Sequence, residues 1–267
     1  MSNGNDVRYR PSLDSPVAGP YVPAAMTGPM PHVSVVLPIH NEQGNLAPLF
    51  QELAAALRGR TSEVIAVDDA SSDGSVEELE RLRLVFPGLR VLRLAAHSGQ
   101  SAAVMAGCDA ARADLVLTLD ADGQNDPADF PRLLAALDAD PGAAAAVGCR
   151  AGPRESAWRS LQSRVANSVR DWITGDVVRD SACGMRVMRR AIIGRLPRFD
   201  GMHRFFPTLI RNLGARVLEV PVAVRRRRYG ASKYGMSTRA FRALRDAVGV
   251  RWLVRRSLRY GVREVGP

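Results

Sequence analysis

The chain has 267 residues, enough for one large core and a small appendage, and its 46% hydrophobic and 24% charged residues are ordinary for a globular protein. Its 37 Lys and Arg against 27 Asp and Glu give a net charge of +10, which predicts an anionic partner such as nucleic acid, anionic lipid or a nucleotide-like substrate. The three cysteines are far apart and form no metal-type pair, which argues against a disulfide framework and favours a reducing compartment.

The two ends of the chain differ from its middle. Residues 1–31 contain six prolines among Gly and Ser, so we predict a disordered tail there. The first thirty residues lack the apolar segment of a signal peptide, and no stretch approaches ~18 uninterrupted apolar residues, so no transmembrane helix is predicted. Residues 32–235 are expected to form the main domain, and residues 236–267 a basic helix that lies on a membrane surface.

Apolar runs alternate with amphipathic stretches through the first half of the chain. The predicted strands are residues 32–39, 63–67, 89–94, 115–119 and 143–148. The first predicted helix begins near Asn45, and two more cover residues 76–85 and 99–113. The last of these is rich in small residues, which allow close packing on a sheet. Alternating strands and helices with short links predict an α/β fold with a doubly wound, mostly parallel sheet.

The second half of the chain is less regular. Residues 154–174 are predicted to be helical, residues 180–186 lead into a turn, and a further helix ends near Gly214. Residues 216–224 predict a strand that Pro221 places at a sheet edge or a bend. The basic helix from about Ser237 has an apolar face made by Phe241, Leu244, Val248 and Trp252.

Three of the predicted strands end in acidic residues. Glu42 follows the first strand, Asp68 and Asp69 the second, and Asp120 and Asp122 the fourth. Parallel strands bring these ends to one edge, where open α/β sheets bind ligands. Carboxylate and amide oxygens suit Mg²⁺ or Mn²⁺, so the stretch from Leu115 to Pro127 predicts a metal site that holds a diphosphate. The competing interpretation of these aspartates is a turn with helix-capping acids.

Four segments in register resemble a known family. VVLPIHNEQGNL, VDDASSDGS, LDADGQNDP and RRYGASKYG, in that order, resemble an inverting nucleotide-sugar glycosyltransferase with the Rossmann-like GT-A fold. More narrowly they resemble the polyprenyl-phosphate glycosyltransferases, the dolichyl-phosphate mannose synthase group. The resemblance covers roughly residues 33–235 and implies a divalent metal and a lipid-phosphate acceptor.

The resemblance also assigns residues to the nucleotide-sugar donor. They are Pro38, His40, Glu42, Val67, Asp69, Asp120, Ala121, Asp122, Arg150, Arg227 and Lys233. Asp120, Asp122, Arg227 and Lys233 would be catalytic, and Asp120, Asp122 and Gln124 would bind Mg²⁺ or Mn²⁺. The family usually has Tyr where His40 stands, and Leu-Gln-His where this chain has Gly123-Gln124-Asn125.

The acceptor residues follow from the chemistry of a phosphate. A phosphate monoester is already anionic at neutral pH, so it needs cations to position it more than a base to deprotonate it. Our candidates for holding it are Arg186, His203 and Arg204; if the acceptor were a sugar hydroxyl, His203 or Asp180 could be the base. Of the arginine run at residues 225–228, one is expected to face phosphate and the others lipid headgroups.

The sequence therefore predicts transfer of a sugar, with mannose the best guess, from a GDP- or UDP-sugar to a dolichyl or undecaprenyl phosphate, with inversion of the anomeric centre. The enzyme is expected to lie peripherally on the cytoplasmic face of the membrane, with no nucleic-acid partner. A transferase acting on a saccharide or lipid hydroxyl is the nearest rival. A nucleic-acid-binding protein fits the charge but leaves the acidic strand ends unexplained. The oligomeric state stays open.

Overall fold

The protein's structure, a computed structural model, describes residues 30–150, 183–223, 225 and 236–258, with the backbone alone for residues 236–243. The strands are β1 Val33–Ile39, β2 Ser62–Asp68, β3 Leu89–Arg93, β4 Leu115–Thr118, β5 Ala143–Arg150, β6 Arg186–Arg189 and β7 Arg216–Val222. The helices are α1 Gln43–Ala56, α2 Ser75–Val85, α3 Gln100–Ala110, α4 Phe130–Ala139, α5 Arg190–Ile193, α6 Phe206–Asn212 and α7 Met236–Arg256, with 3-10 turns at Pro127–Asp129 and Met202–Phe205.

The described strands form one seven-stranded sheet in the order β3-β2-β1-β4-β6-β5-β7. Among the described strands, the pairings β1–β2, β1–β4, β2–β3 and β5–β7 are parallel and the pairings β4–β6 and β5–β6 are antiparallel, so β6 is the one described strand that reverses direction. The prediction of a doubly wound, mostly parallel α/β sheet is confirmed. The sequence interpretation did not include β6, because four residues with Arg at each end give no clear period.

The core lies around the three central strands. Val33, Val35, Val36 and Leu37 of β1 have no exposed surface, as expected for a parallel strand covered on both faces. Helix α3 packs closely on this sheet, since a Cβ added at Gly107 would lie 2.3 Å from Val36 Cγ1. The small-residue composition of α3 thus permits the approach that the sequence predicted.

Helix α4 is absent from the sequence interpretation, although its apolar residues have a helical period. Asp126 accepts a hydrogen bond from the Ala128 backbone N–H at 3.0 Å, which caps the turn that precedes the helix. Four residues of α4 are buried against the sheet: Phe130, Leu133, Leu134 and Leu137. This helix begins directly after the acidic loop and therefore fixes the far end of that loop.

The elements around residues 201–222 agree with the sequence prediction. Helix α6 ends at Asn212, and Gly214 has a φ of +79°, the left-handed conformation that commonly follows a helix. Strand β7 lies at an end of the sheet, where Pro221 removes no inner ladder hydrogen bond.

Helix α7 belongs to the second of the two compact units into which the chain divides. Leu244, Val248 and Trp252, spaced four residues apart, are 44%, 55% and 63% exposed, and the Arg256 guanidinium lies 6.0 Å from the centre of the Trp252 ring. Within the described ranges, no helix is both long and apolar enough to cross a bilayer. The predicted tail (apart from its last two residues), the predicted helix at residues 154–174, and Asp180 lie outside the described residues.

Candidate active site

The acidic ends of three strands meet at one edge of the sheet. Strands β2, β1 and β4 are adjacent and parallel, with Ile39 paired to Asp68 and Val36 paired to Thr118. The Asp69 backbone N–H donates to the Ile39 carbonyl at 2.8 Å, which joins the loops after β1 and β2. The predicted convergence of the loops that carry Glu42, Asp69 and Asp120 is therefore present.

The Asp69 carboxylate holds the beginning of α3 at this edge. It accepts from the backbone N–H groups of Ser98 at 2.6 Å and Gly99 at 2.9 Å, and His97 Nδ1 lies 3.0 Å from its Oδ2. Gly99 has a φ of +91°, a left-handed turn that lets the chain enter the helix. Asp69 is thus a buried anion bound mainly by backbone N–H groups.

The neighbouring Asp68 has a different environment. Its carboxylate accepts from the Ser71 backbone N–H at 3.2 Å and lies 3.3 Å from Arg93 Nε, and the residue is fully buried. These contacts orient the loop after β2.

Asp120 is linked to the same helix N-terminus. The side chain of Gln100, the first residue of α3, donates from Nε2 to Asp120 Oδ1 at 2.8 Å. On its other side, a Cβ added at Gly184 would lie 2.3 Å from Asp120 Oδ2. A side chain at position 184 would therefore displace this carboxylate, and the N-terminal end of α3, from Ser98 to Gln100, contacts both Asp69 and Asp120.

The loop after Asp120 turns through Gly123, whose φ is +72°. Asp122 Oδ1 accepts from the Gln124 backbone N–H at 3.1 Å, the hydrogen bond between residues i and i+2 that is typical of an Asx turn. The Gln124 side chain is exposed, while its backbone carbonyl accepts from the Arg225 N–H at 2.9 Å. The loop is thus tied to the chain that follows β7.

A buried acceptor lies beside this loop. Asn45 donates from Nδ2 to Glu42 Oε2 at 2.6 Å, and its own Oδ1 is buried without a hydrogen-bond partner. A Cβ added at Gly123 would lie 3.9 Å from that oxygen. An unsatisfied buried oxygen is costly and here stands within an acidic cluster, which suits a site completed by a cation or a donor group.

The donor set of this edge fits a hard divalent cation. Asp120 and Asp122 offer carboxylate oxygens one residue apart, both residues are partly exposed, and Gln124 offers an amide oxygen. A second group of possible ligands comprises His40, Asp69 and His97, whose ligand atoms lie within 4.8 Å of one another. Imidazole suits zinc-like metals better than Mg²⁺, and Asp69 already binds two backbone N–H groups, so this second group fits Mg²⁺ poorly.

Two histidine rings stack at the base of the acidic edge. The ring centres of His40 and His97 are 4.1 Å apart with an interplanar angle of 28°, and His40 Nδ1 pairs with the Asp69 carbonyl at 2.7 Å. The sequence interpretation included His40 and missed His97, because a lone histidine in the loop before α3 carries no signal. These rings present a flat surface next to the Asp69 carboxylate.

The loops after β1 and β2 hold two non-glycine residues in the left-handed region, Asn41 with a φ of 57° and Ala70 with a φ of 53°. The Asn41 side chain accepts from the Ser72 N–H at 2.7 Å and from the Asp73 N–H at 3.3 Å. The segment VDDASSDGS is therefore joined to the first motif by its own hydrogen bonds. Such strained residues are typical of functional loops.

The predicted acceptor residues have three different environments. Arg186 is 4% exposed and its guanidinium lies 5.4 Å from the centre of the Phe206 ring, whereas Arg204 is exposed. His203 is buried and its Nδ1 pairs with Ser101 Oγ at 2.7 Å. Burial, with the nearby Arg204 and Arg186, lowers the pKa of His203 to about 3, so this imidazole is neutral at pH 7.

The other predicted residues are placed as follows. Pro38 is partly exposed and paired with Val67, which is fully buried in β2, while Ala121 is buried behind the two aspartates. Arg150 is exposed at the end of β5. Arg227 and Lys233 lie outside the described residues.

Arg225 is a correction to the sequence interpretation. It was expected to face lipid headgroups, but its side chain pairs with Asp126 and, at 2.9 Å, with Glu52 of α1. These contacts could not be predicted, because a run of four arginines does not indicate that the chain folds back onto Asp126 and Glu52.

Comparison with known proteins finds relatives that are more than 30% identical to this chain. Undecaprenyl-phosphate 4-deoxy-4-formamido-L-arabinose transferase of Edwardsiella ictaluri is 38% identical over 209 residues, covering 76% of this chain and 63% of that protein. Dodecaprenyl-phosphate galacturonate synthase of Rhizobium johnstonii is 34% identical over 235 residues, covering 86% of this chain and 69% of that protein. The chain thus spans about two thirds of the length of these relatives.

Solved structures of glucosyl-3-phosphoglycerate synthase from Mycobacterium tuberculosis have the same fold. One with Mn²⁺, UDP-glucose and phosphoglyceric acid has a TM-score of 0.62 at 22% identity, covering 82% of this chain and 80% of that chain. Another holds Mg²⁺ and UDP and has a TM-score of 0.62 at 21% identity, with 82% and 80% covered. These likenesses confirm the predicted GT-A fold.

The family model for glycosyl transferase family 2 matches residues 34–196, from β1 to just beyond α5. This range contains the acidic strand ends, the stacked histidines and the first turn of α3. The chain therefore belongs to glycosyl transferase family 2.

Proposed function

We propose that this protein transfers a sugar from a nucleotide-diphosphate sugar to a polyprenyl phosphate, with inversion of the anomeric centre. The observation that carries the proposal is the acidic edge, where the N-terminal end of α3 contacts both Asp69 and Asp120. Family membership supports the reaction class. The acceptor class is supported by the two relatives, whose names give undecaprenyl and dodecaprenyl phosphate.

The donor would be bound along this edge in two parts. The stacked rings of His40 and His97 offer a surface for the nucleobase, and Asp69 lies beside them as the acceptor for a base or ribose proton. Asp120, Asp122 and Gln124 would hold Mg²⁺ or Mn²⁺, and Glu42 adds negative charge nearby. When bound, such an ion stabilises the charge that develops on the leaving diphosphate.

The remaining charge on the diphosphate would be met by cations of the chain. Arg227 and Lys233 of the RRYGASKYG segment are our candidates for that role, with Arg150 as a further donor contact. Cations placed where charge develops lower the barrier without moving a proton.

A phosphate acceptor suits the described acceptor residues better than a hydroxyl acceptor does. A hydroxyl needs a general base whose pKa is near the working pH, and a pKa of about 3 makes His203 a poor base at pH 7. A phosphate needs positive charge, which Arg204 offers at the surface and Arg186 offers from a buried position. His203 then contributes by joining α3 to the Met202–Phe205 turn through Ser101.

The sugar and the base are finer points of the proposal. The resemblance favours mannose and a GDP- or UDP-sugar, while the two relatives are named for a formamido-arabinose and a galacturonate. An assay with a panel of donors therefore tests the sugar together with the reaction.

We place the enzyme at the cytoplasmic face of an anionic membrane. Leu244, Val248 and Trp252 form an exposed apolar stripe on α7, and exposed arginines such as Arg245 and Arg255 accompany it. An amphipathic helix of this composition binds at the interface of a bilayer.

The test of the reaction is an assay of purified protein with undecaprenyl phosphate, Mn²⁺ and a panel that includes GDP-mannose, UDP-glucose and UDP-galacturonate. We expect one donor to yield a glycosyl-phosphoryl lipid, detected by mass spectrometry, and Asp122→Asn to abolish it. Transfer to a saccharide hydroxyl, with no donor used on any polyprenyl phosphate, would contradict the proposal.

The test of membrane binding is sedimentation with anionic liposomes. Removing residues 237–267, or changing Leu244, Val248 and Trp252 to Gln, should release the protein into the supernatant. The matched control changes two exposed apolar residues of α2, Leu84 and Val85, which are 84% and 77% exposed. Equal sedimentation of all variants would show that α7 is not the membrane contact.

A further inference from the structure

The chain that follows β7 makes a continuous set of contacts with the Asp122–Asp129 loop. The Ala223 N–H donates to Asp129 Oδ2 at 2.7 Å, and the Arg225 N–H donates to the Gln124 carbonyl at 2.9 Å. Two backbone groups two residues apart therefore fix both ends of the loop after Asp122.

The Arg225 side chain adds a second pair of contacts. Its guanidinium pairs with the Asp126 carboxylate and, through Nη1, with Glu52 Oε2 of α1 at 2.9 Å. The three side chains are 33%, 20% and 26% exposed, which shields the pairs in part from solvent. Burial lowers the pKa of Arg225, but the carboxylates of Asp126 and Glu52 outweigh it and raise the pKa overall.

Asp126 has a role within the loop as well. Its Oδ1 accepts from the Ala128 N–H at 3.0 Å and so caps the turn that leads into α4. Its carboxylate is therefore shared between the loop's own turn and the guanidinium of Arg225. A planar guanidinium can bridge two carboxylates in a fixed geometry, which the point charge of Lys cannot do.

We infer that Arg225 is a positioning residue for the Asp122–Asp129 loop, which we call the metal loop. It clamps this loop between α1 and the end of β7 and so holds Asp122 and Gln124 in place. The inference rests on the proposed function, because it takes that loop to be the metal and diphosphate site. Arg225 itself does not contact donor or acceptor. It acts through Asp126 and through the Gln124 backbone.

This clamp also connects two parts of the donor site. Arg227 follows Arg225 after one intervening residue, so the segment assigned to the diphosphate starts from a point that is anchored to the metal loop. Loss of the clamp should therefore loosen metal binding more than it weakens the fold.

The experiment compares four side-chain variants of the full chain: Arg225→Ala, Arg225→Lys, Asp126→Asn and Arg216→Ala. Arg216, the first residue of β7, pairs with Asp140 at the end of the strand away from Arg225 and is the matched control for losing a surface ion pair. The Arg225 variants keep the backbone bond to Gln124, so they report on the side chain alone.

The first readout is the dissociation constant for Mn²⁺ in the presence of UDP, measured by electron paramagnetic resonance. Residues that support metal ligands typically change metal affinity by ~10- to 100-fold. We expect Arg225→Ala to raise the Mn²⁺ dissociation constant roughly 10-fold, and Arg225→Lys to give a value between those of the wild type and Arg225→Ala. The value for Arg216→Ala should stay within about twofold of the wild type. Combining Arg225→Ala with Asp126→Asn in a fifth variant should weaken Mn²⁺ binding no further than Arg225→Ala does, since the pair between Arg225 and Asp126 is already lost and the amide oxygen at position 126 can still accept from the Ala128 N–H.

The second readout is hydrogen exchange of the backbone amides of residues 122–126 and 128, which needs no metal. Faster exchange there in Arg225→Ala, with unchanged exchange in β1 and β2, is the expected result. Wild-type exchange and wild-type Mn²⁺ affinity in Arg225→Ala would overturn the inference, and so would faster exchange throughout the sheet, which marks a purely structural role. If Asp122→Asn binds Mn²⁺ normally, the proposed function fails on its own, while the exchange data still decide whether Arg225 clamps the loop.

Discussion

Two edges of the same sheet carry buried carboxylates in contrasting environments. Where β1 and β2 begin, Glu63 accepts from Ser34 Oγ at 2.6 Å and pairs with Arg90 at 2.7 Å and Arg112 at 2.9 Å. At the opposite edge of the sheet, Asp69 after β2 accepts from two backbone N–H groups, and Asp120 after β4 accepts from the side-chain amide of Gln100. The first edge pairs its carboxylate with two arginines, whereas backbone and side-chain amide N–H groups donate to Asp69 and Asp120 at the second edge.

This difference separates structural from functional charge. Burial raises the pKa of Glu63, but hydrogen bonds from Ser34, Arg112 and Arg90 outweigh it and lower the pKa overall, so the ion cluster is complete without any ligand. A carboxylate held by neutral donors keeps its negative charge for an incoming cation. On the same ground we propose that Asp68, paired with Arg93, supports the fold while its neighbour Asp69 contributes to the donor site.

The largest expected effect on activity comes from Asp122→Asn. The amide keeps an oxygen that can accept from the Gln124 N–H but loses the negative charge, so metal-dependent transfer should fall by more than ~100-fold. The free energy of unfolding should change by less than about 0.5 kcal/mol, since the residue lies in a partly exposed loop. Initial rates and urea unfolding of the same preparation check both parts. If Asp122→Asn instead lowered the free energy of unfolding substantially, Asp122 would have a structural role like that of Glu63.

The opposite edge should show the reverse behaviour. Glu63→Gln leaves Arg90 and Arg112 without their carboxylate, and breaking a buried pair in this way costs about 3 kcal/mol of folding free energy. The folded fraction should keep its activity and its Mn²⁺ affinity. Urea unfolding and the Mn²⁺ dissociation constant measure the two quantities. A loss of Mn²⁺ affinity in Glu63→Gln without a loss of folding free energy would contradict the structural role of Glu63.

Gly184→Ala should produce a smaller effect, confined to the functional edge. The added methyl would lie 2.3 Å from Asp120 Oδ2, so the carboxylate must move, and Mn²⁺ affinity should fall roughly 10-fold. Gly194→Ala is the matched control, because its Cβ meets nothing within 4 Å and its φ is −61°. Equal Mn²⁺ affinity of the two variants would show that the position of Asp120 is unimportant.

The smallest effect concerns His203, a buried ionisable group that neither edge uses as a charge. Its pKa of about 3 in the folded state is below the ordinary value of 6.5, so the unfolded state binds a proton first and stability falls as pH decreases through this interval. The slope contributed by His203 is at most about 1.4 kcal/mol for each pH unit. His203→Asn should remove this slope, which urea unfolding at pH 7 and pH 5 measures. Identical pH profiles would mean that His203 titrates normally.

The sequence predicts the convergence of the acidic edge because it depends only on strand direction. It cannot distinguish Asp68 from Asp69, which are adjacent and chemically identical, since the distinction comes from Arg93 and from the N-terminal end of α3. The same limit applies to Arg225, whose partner Glu52 is 173 residues away in the chain. His97 is a third example, because its role depends on a ring stack with His40.

The fold shows a similar division between local and distant information. Long apolar runs such as β1 and β4 are evident from composition, and the helix end at Gly214 follows from its conformational freedom. Strand β6 is too short for a period, and it becomes a strand because β4 and β5 flank it. Its antiparallel direction depends on pairing with β4 and β5 and not on its own sequence.

The edge formed by Asp120 and Asp122 is expected to bind a metal together with a nucleotide diphosphate. Titration calorimetry of UDP in the presence and absence of Mn²⁺, with the wild type, Asp122→Asn and Glu63→Gln, tests it most directly. We expect UDP to bind the wild type and folded Glu63→Gln only with Mn²⁺, and to bind Asp122→Asn at least ~10-fold more weakly. UDP binding that is independent of both Mn²⁺ and Asp122 would contradict the account.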